Sequence, residues 1–92
     1  MGGRMDINFK SDKICRVLQI YTKLTEGYIV NKTEEATLYG VNERSIQRDI
    51  DDIRAFLDAD AERTGIINSV IYDRQVRGYR LETIYKMRLQ NS

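Results

Sequence analysis

The chain has 92 residues, with 15 Lys and Arg against 14 Asp and Glu, no histidine, no proline and one cysteine. That length allows one hydrophobic core, and the apolar share of 41% with 32% charged residues is that of a globular chain rather than a disordered one. Internal disulfides, the usual His/Cys metal sites and Ser-His or Cys-His catalytic pairs are excluded, and nothing points to a cofactor or an enzyme. No apolar run approaches the ~20 residues of a membrane span, and the opening MGGRMDINFK has no apolar signal-peptide core.

Residues 1 to 10 read as a tag remnant or flexible arm, with Met5 as the native start. The first helix is expected over SDKICRVLQIYTKLTEG, capped by Ser11 or Asp12 and closed by Gly27. Ile14, Val17, Leu18, Tyr21 and Leu24 follow helical spacing and predict its buried face. Tyr28, Ile29 and Val30 favour a very short strand. Asn31 and Glu34 have capping-box spacing ahead of a second helix that Gly40 ends, with Ala36 and Tyr39 facing the core and Tyr28 assigned there too.

The clearest signal is GVNERSIQRDIDDIRAFLDADAERTG. Asn42 caps a third helix expected over residues 43 to 61, with Gly65 beyond its end. At ~100° per residue, Ile46, Ile50, Ile53 and Leu57 fall in a ~60° stripe. Arg44 and Arg48 lie opposite, flanked by Ser45 and Gln47. Alternating runs around Ile67–Tyr72 and Tyr79–Glu82 predict a hairpin turning over Asp73–Gly78. Residues 83 to 92 read as a tail or truncated linker.

The near-neutral total conceals segregation. Within residues 49 to 62, Asp49, Asp51, Asp52, Asp58, Asp60 and Glu62 oppose only Arg54, whereas within residues 73 to 80, Arg74, Arg77 and Arg80 oppose only Asp73. The expected fold is mainly α with a small β hairpin (α+β): a three-helix winged helix-turn-helix over residues 11 to 82. A helix of this kind fits the roughly 12 Å major groove of B-DNA if it buries one stripe and offers the other to base edges. Asn42, Arg44, Ser45, Gln47 and Arg48 are the candidate DNA-binding residues on the helix over 43 to 61. Arg74, Gln75 and Arg77 are the candidates for the backbone or minor groove on the hairpin over 72 to 79. The plainer reading of Arg44 and Arg48 is a solvated face paired with Glu43 or Asp51; that of Arg74 and Arg77 is an ordinary charged turn. Asp49 reads as structural, since phosphates repel carboxylates.

GVNERSIQRDIDDI resembles the helix-turn-helix of bacterial WYL-domain and related type-11 transcription regulators, whose pattern runs roughly G-V-S-x-R-T-I-x-R-D-I. The likeness covers Gly40, Val41, Arg44, Ile46, Arg48, Asp49 and Ile50, and YDRQVRGYRLE is similar to the wing of that group. It implies a cytoplasmic, nucleoid-associated DNA-binding regulator, such as a repressor, that takes double-stranded DNA as partner. A homodimer and a C-terminal effector-sensing domain outside this chain stay open. Asn42 replaces the usual Ser, and Glu35 stands where the group has an apolar residue. The alternative function is a winged-helix protein–protein interaction module.

Overall fold

In the computed structural model, residues 13 to 84 are described; the arm expected over 1–10, the Ser11 or Asp12 cap and residues 85–92 of the expected tail lie outside them, while Thr83 and Ile84, assigned to that tail, pair with Asn68 and Ile67 as the end of the hairpin. Three helices precede a two-stranded antiparallel hairpin, the α+β winged-helix-like layout expected: α1 (Lys13–Thr25), α2 (Lys32–Tyr39), α3 (Glu43–Thr64), β1 (Ile67–Asp73) and β2 (Gly78–Ile84). No helix among the described residues is long and apolar enough to cross a membrane.

Local chemistry sets the boundaries. Asn31 caps α2 by accepting from the Glu34 backbone N–H at 2.9 Å, and Asn42 caps α3 by accepting from that of Ser45 at 2.9 Å. Between these helices Gly40 takes φ 69°, a left-handed conformation that glycine enters without a Cβ clash. Its N–H and that of Val41 satisfy carbonyls at the end of α2, and the chain turns sharply into α3. α3 runs to Thr64, three residues past the expected Ala61.

Ile46, Ile50, Ile53 and Leu57 are all buried, so the stripe read from the sequence is the floor of the core. Ile20 and Leu24 of α1, Val30, Ala36, Val70 and Tyr79 complete it. The face expected for α1 is corrected. Ile14 and Leu18 are 67% and 56% exposed, while Ile20 is fully buried beside Cys15, Arg16 and Leu24. On the helical wheel the buried face is rotated by roughly 100° from the apolar stripe. The reason is an ion pair that periodicity does not detect. Arg16 donates to both carboxylate oxygens of Asp49 on α3, at 2.5 and 3.1 Å, so a charged residue takes the inward position. Ile14, Leu18 and Phe56 are left lining shallow apolar hollows between α1 and α3, where Tyr21 meets Phe56 edge-on at 5.9 Å.

Tyr28 is also exposed rather than in the core. The short strand expected over 28 to 30 reduces to one bridge, in which Val30 and Tyr79 exchange backbone bonds of 2.9 and 2.7 Å. Gly78 permits that approach: a Cβ there would collide with the Ile29 side chain and come within 3.0 Å of the Val30 carbonyl oxygen. Glu35, the departure on α2, is buried and paired with Lys23 of α1 at 2.7 Å. A carboxylate occupies an inward position because an ammonium reaches it.

Candidate functional site

Asp49 sets the pose of α3. Its carboxylate is fully buried and takes Arg16 and, at 3.2 Å, the ammonium of Lys13. Donating to the carboxylates of Asp52 and Asp49 holds the Lys13 ammonium above its ordinary range, and donating to Asp49 does the same for the Arg16 guanidinium. Asp49 is therefore a structural anchor within the Arg48–Asp49–Ile50 stretch. With Asp49 and Ile50 turned inward, Arg44 and Arg48, one turn apart, are left exposed on the other side.

The hairpin closes through turn 74–77. Asp73 holds it: one carboxylate oxygen accepts from the Gln75 backbone N–H at 2.9 Å and the other from the Arg80 guanidinium at 3.0 Å. The Arg80 bond, then the turn's backbone donors, keeps the Asp73 carboxyl below its ordinary range. Arg74, Gln75 and Arg77 are exposed. Arg77 is the one described non-glycine residue with positive φ, 55°.

Two cross-links join this hairpin to the helices. The Asn31 side chain donates to the Arg77 carbonyl at 3.0 Å while also capping α2. The Tyr79 hydroxyl donates to Gln47 Oε1 at 3.2 Å, and Lys32 Nζ donates to the same oxygen at 2.9 Å. Together they bring the Arg77 end of the turn and the first turns of α2 and α3 into one region. Arg74 and Gln75 lie on the opposite limb of the turn; among the described residues no hydrogen bond ties their side chains to α3.

No protein-family model, curated protein or solved structure matches the chain. Its own geometry is what divides the candidates into two sets. Asn42, Ser45 and Gln47 are engaged internally: Ser45 donates through both its N–H and its hydroxyl to Asn42 Oδ1, and Gln47 holds Lys32, Tyr79 and Asp51. Arg44, Arg48, Arg74 and Arg77 carry no hydrogen bond or ion pair on their side chains among the described residues. The other four described arginines, Arg16, Arg54, Arg63 and Arg80, are all ion-paired.

Sequence reasoning missed Asn31, Lys32 and Tyr79 as parts of this region. Asn31 is legible only as a cap, and Tyr79 only as packing. Lys32 leaves one signal, because a cation in the first turn of a helix opposes the helix dipole and calls for a local reason.

Proposed function

We propose that this chain is a sequence-preferring binder of double-stranded DNA, the DNA-binding part of a transcription regulator. The observation that carries the reading is the partition of arginines. Arg16, Arg54 and Arg80 tie separate parts of the fold together and Arg63 is neutralised by Asp60 within α3, while the unpaired ones are exposed at the start of α3 and on the hairpin turn. A guanidinium is a planar donor fork suited to guanine O6 and N7 and to phosphate. Arg44 and Arg48 read base edges in the major groove, with the backbone N–H groups at the start of α3 directed at phosphate. Arg74 and Arg77 grip the flanking backbone or the minor groove. The carboxylates further along α3 lie away from the duplex and limit indiscriminate phosphate binding. A cytoplasmic, nucleoid-associated location and coupling to an effector-sensing domain belong to the same reading.

The test is a salt titration on duplexes selected from a random pool. The affinity should fall on a log–log plot with a slope near −0.9 per phosphate neutralised. Arg48→Ala should lose about 1–3 kcal/mol of specific binding with an unchanged circular dichroism spectrum. Equal affinity in wild type and Arg48→Ala would remove Arg48 from the interface.

One observation favours a second reading, a protein–protein interaction module: the exposed Ile14, Leu18 and Phe56 on the α1–α3 side. A chain of that kind binds duplex DNA weakly and without sequence preference under the same titration.

A further inference from the structure

We propose that Gln47 is a joint rather than a base reader: it fixes the hairpin against α3 so that Arg48 and Arg77 engage one duplex together. The proposal rests on the DNA-binding reading above and assigns a role to a residue within it.

A glutamine carbonyl has two lone pairs and its amide two N–H groups. Lys32 Nζ and the Tyr79 hydroxyl occupy both lone pairs of Gln47 Oε1, at 2.9 and 3.2 Å. Gln47 Nε2 donates to Asp51 Oδ1 at 3.1 Å. Lysine can only donate, which fixes the amide with its oxygen toward Lys32. Reading adenine requires that same carbonyl to accept from N6 while the amide donates to N7. In this arrangement the carbonyl is saturated. To serve a base it must release Lys32 or Tyr79, and the Tyr79 hydroxyl has no other hydrogen bond among the described residues. Tyr79 is buried, so its release leaves a polar group without a partner.

The position of the cluster gives the bonds their consequence. Lys32 belongs to α2, Gln47 and Asp51 to α3, and Tyr79 to β2. The Tyr79 backbone is fastened to Val30 by two bonds, and its ring lies 5.6 Å below the Arg54 guanidinium. Arg54 in turn donates twice to the Val70 carbonyl of β1, at 3.2 and 3.0 Å. Gln47 thus connects the strand that begins next to Arg77 with the helical turn that carries Arg48. Asn31 makes the parallel tie at the Arg77 carbonyl.

The experiment uses the full 92-residue chain and a duplex selected by the wild type, with Gln47→Ala, Tyr79→Phe and the double variant. Tyr79→Phe removes only the hydroxyl and keeps the core packing, so it tests the joint even if Gln47→Ala melts early. A joint predicts about 2- to 10-fold weaker binding for each single variant, an unchanged base preference at every position, and a double variant no weaker than either single. It further predicts that the coupling between Arg48 and Arg77, read from a double-mutant cycle, shrinks in the Gln47→Ala background; loss of general stability does not move that coupling. A changed preference at one A·T pair in Gln47→Ala makes Gln47 a reader and overturns the proposal. Additive single variants, or unchanged affinity in both, overturn it as well. If the wild type shows no sequence preference and no salt dependence, the DNA-binding reading fails first, and this proposal with it.

Discussion

Arg77 combines two properties that rarely meet in one side chain. Its backbone lies in the left-handed region at φ 55°, where a Cβ is unfavourable, and its guanidinium is exposed on the hairpin turn without an ion-pair partner. Glycine meets the backbone requirement without strain, so under the proposed function arginine at this position is accounted for by a contact of its side chain with DNA. Arg77→Gly is expected to leave the melting temperature unchanged or slightly raised. Relief of strain, of order 1 kcal/mol, opposes the larger unfolded-state entropy of glycine. Under the proposed function the same variant binds DNA more weakly and with a shallower salt slope, by roughly one phosphate. Full retention of the slope would show that the Arg77 side chain contacts no phosphate. The charge of Arg77 was legible in the sequence, but its backbone conformation was not, because φ at a turn is set by how the strands on either side pair.

Helix α1 and the hairpin show how far an element is readable from its own residues. The length of α1 followed from its spacing, but its rotation did not, since Ile14, Val17, Leu18 and Tyr21 form the more continuous apolar stripe. The Arg16–Asp49 pair and the fit of Ile20 against α3 override that stripe. Leu18→Lys should therefore shift the urea midpoint by no more than about 0.5 kcal/mol equivalent, whereas Ile20→Lys should abolish cooperative unfolding by placing a charge in the core. The reverse pattern would return the helix to the phase its apolar spacing suggests. In the hairpin, Asp73 has a lowered carboxyl pKa because of Arg80 and the turn's backbone donors. A carboxyl that is more acidic folded than unfolded stabilises the fold above its unfolded pKa of 3.8 and loses that contribution as pH falls through the lower folded value. Amide exchange in turn 74–77 should accordingly stay flat from neutral pH down to about 4 after correction for the intrinsic rate. It should accelerate below that, and Asp73→Asn should remove the acid-dependent step.

Across the three helices, stability depends on a few polar contacts inside an apolar core. Asp49 is fully buried and holds Arg16 and Lys13, clamping α1 to the helix that carries Arg44 and Arg48. Removing one partner of a buried pair leaves an uncompensated charge and costs about 3–5 kcal/mol, a large share of what a domain of this size has. Asp49→Ala should therefore lower the urea midpoint steeply, and a midpoint within error of wild type would show that Arg16 finds water or another acceptor.

The features readable along the chain are those whose causes lie within a few residues. Asn31 and Asn42 as caps, Gly40 as the turn between helices, the hairpin around Asp73–Gly78 and the Ile46–Leu57 stripe all follow from local hydrogen bonding, steric restriction and helical spacing. So does the choice of Arg44, Arg48, Arg74 and Arg77 as exposed cations. What required the packed molecule is every polar residue that turns inward. Arg16 meets Asp49 across 33 positions, Lys23 meets Glu35 across 12, and Tyr79 meets Gln47 across 32. A buried charge or amide is favourable only when its partner arrives from another element. The phase of α1, the place of Glu35 and the engagement of Gln47 were therefore settled by contacts that no stretch of neighbouring residues contains.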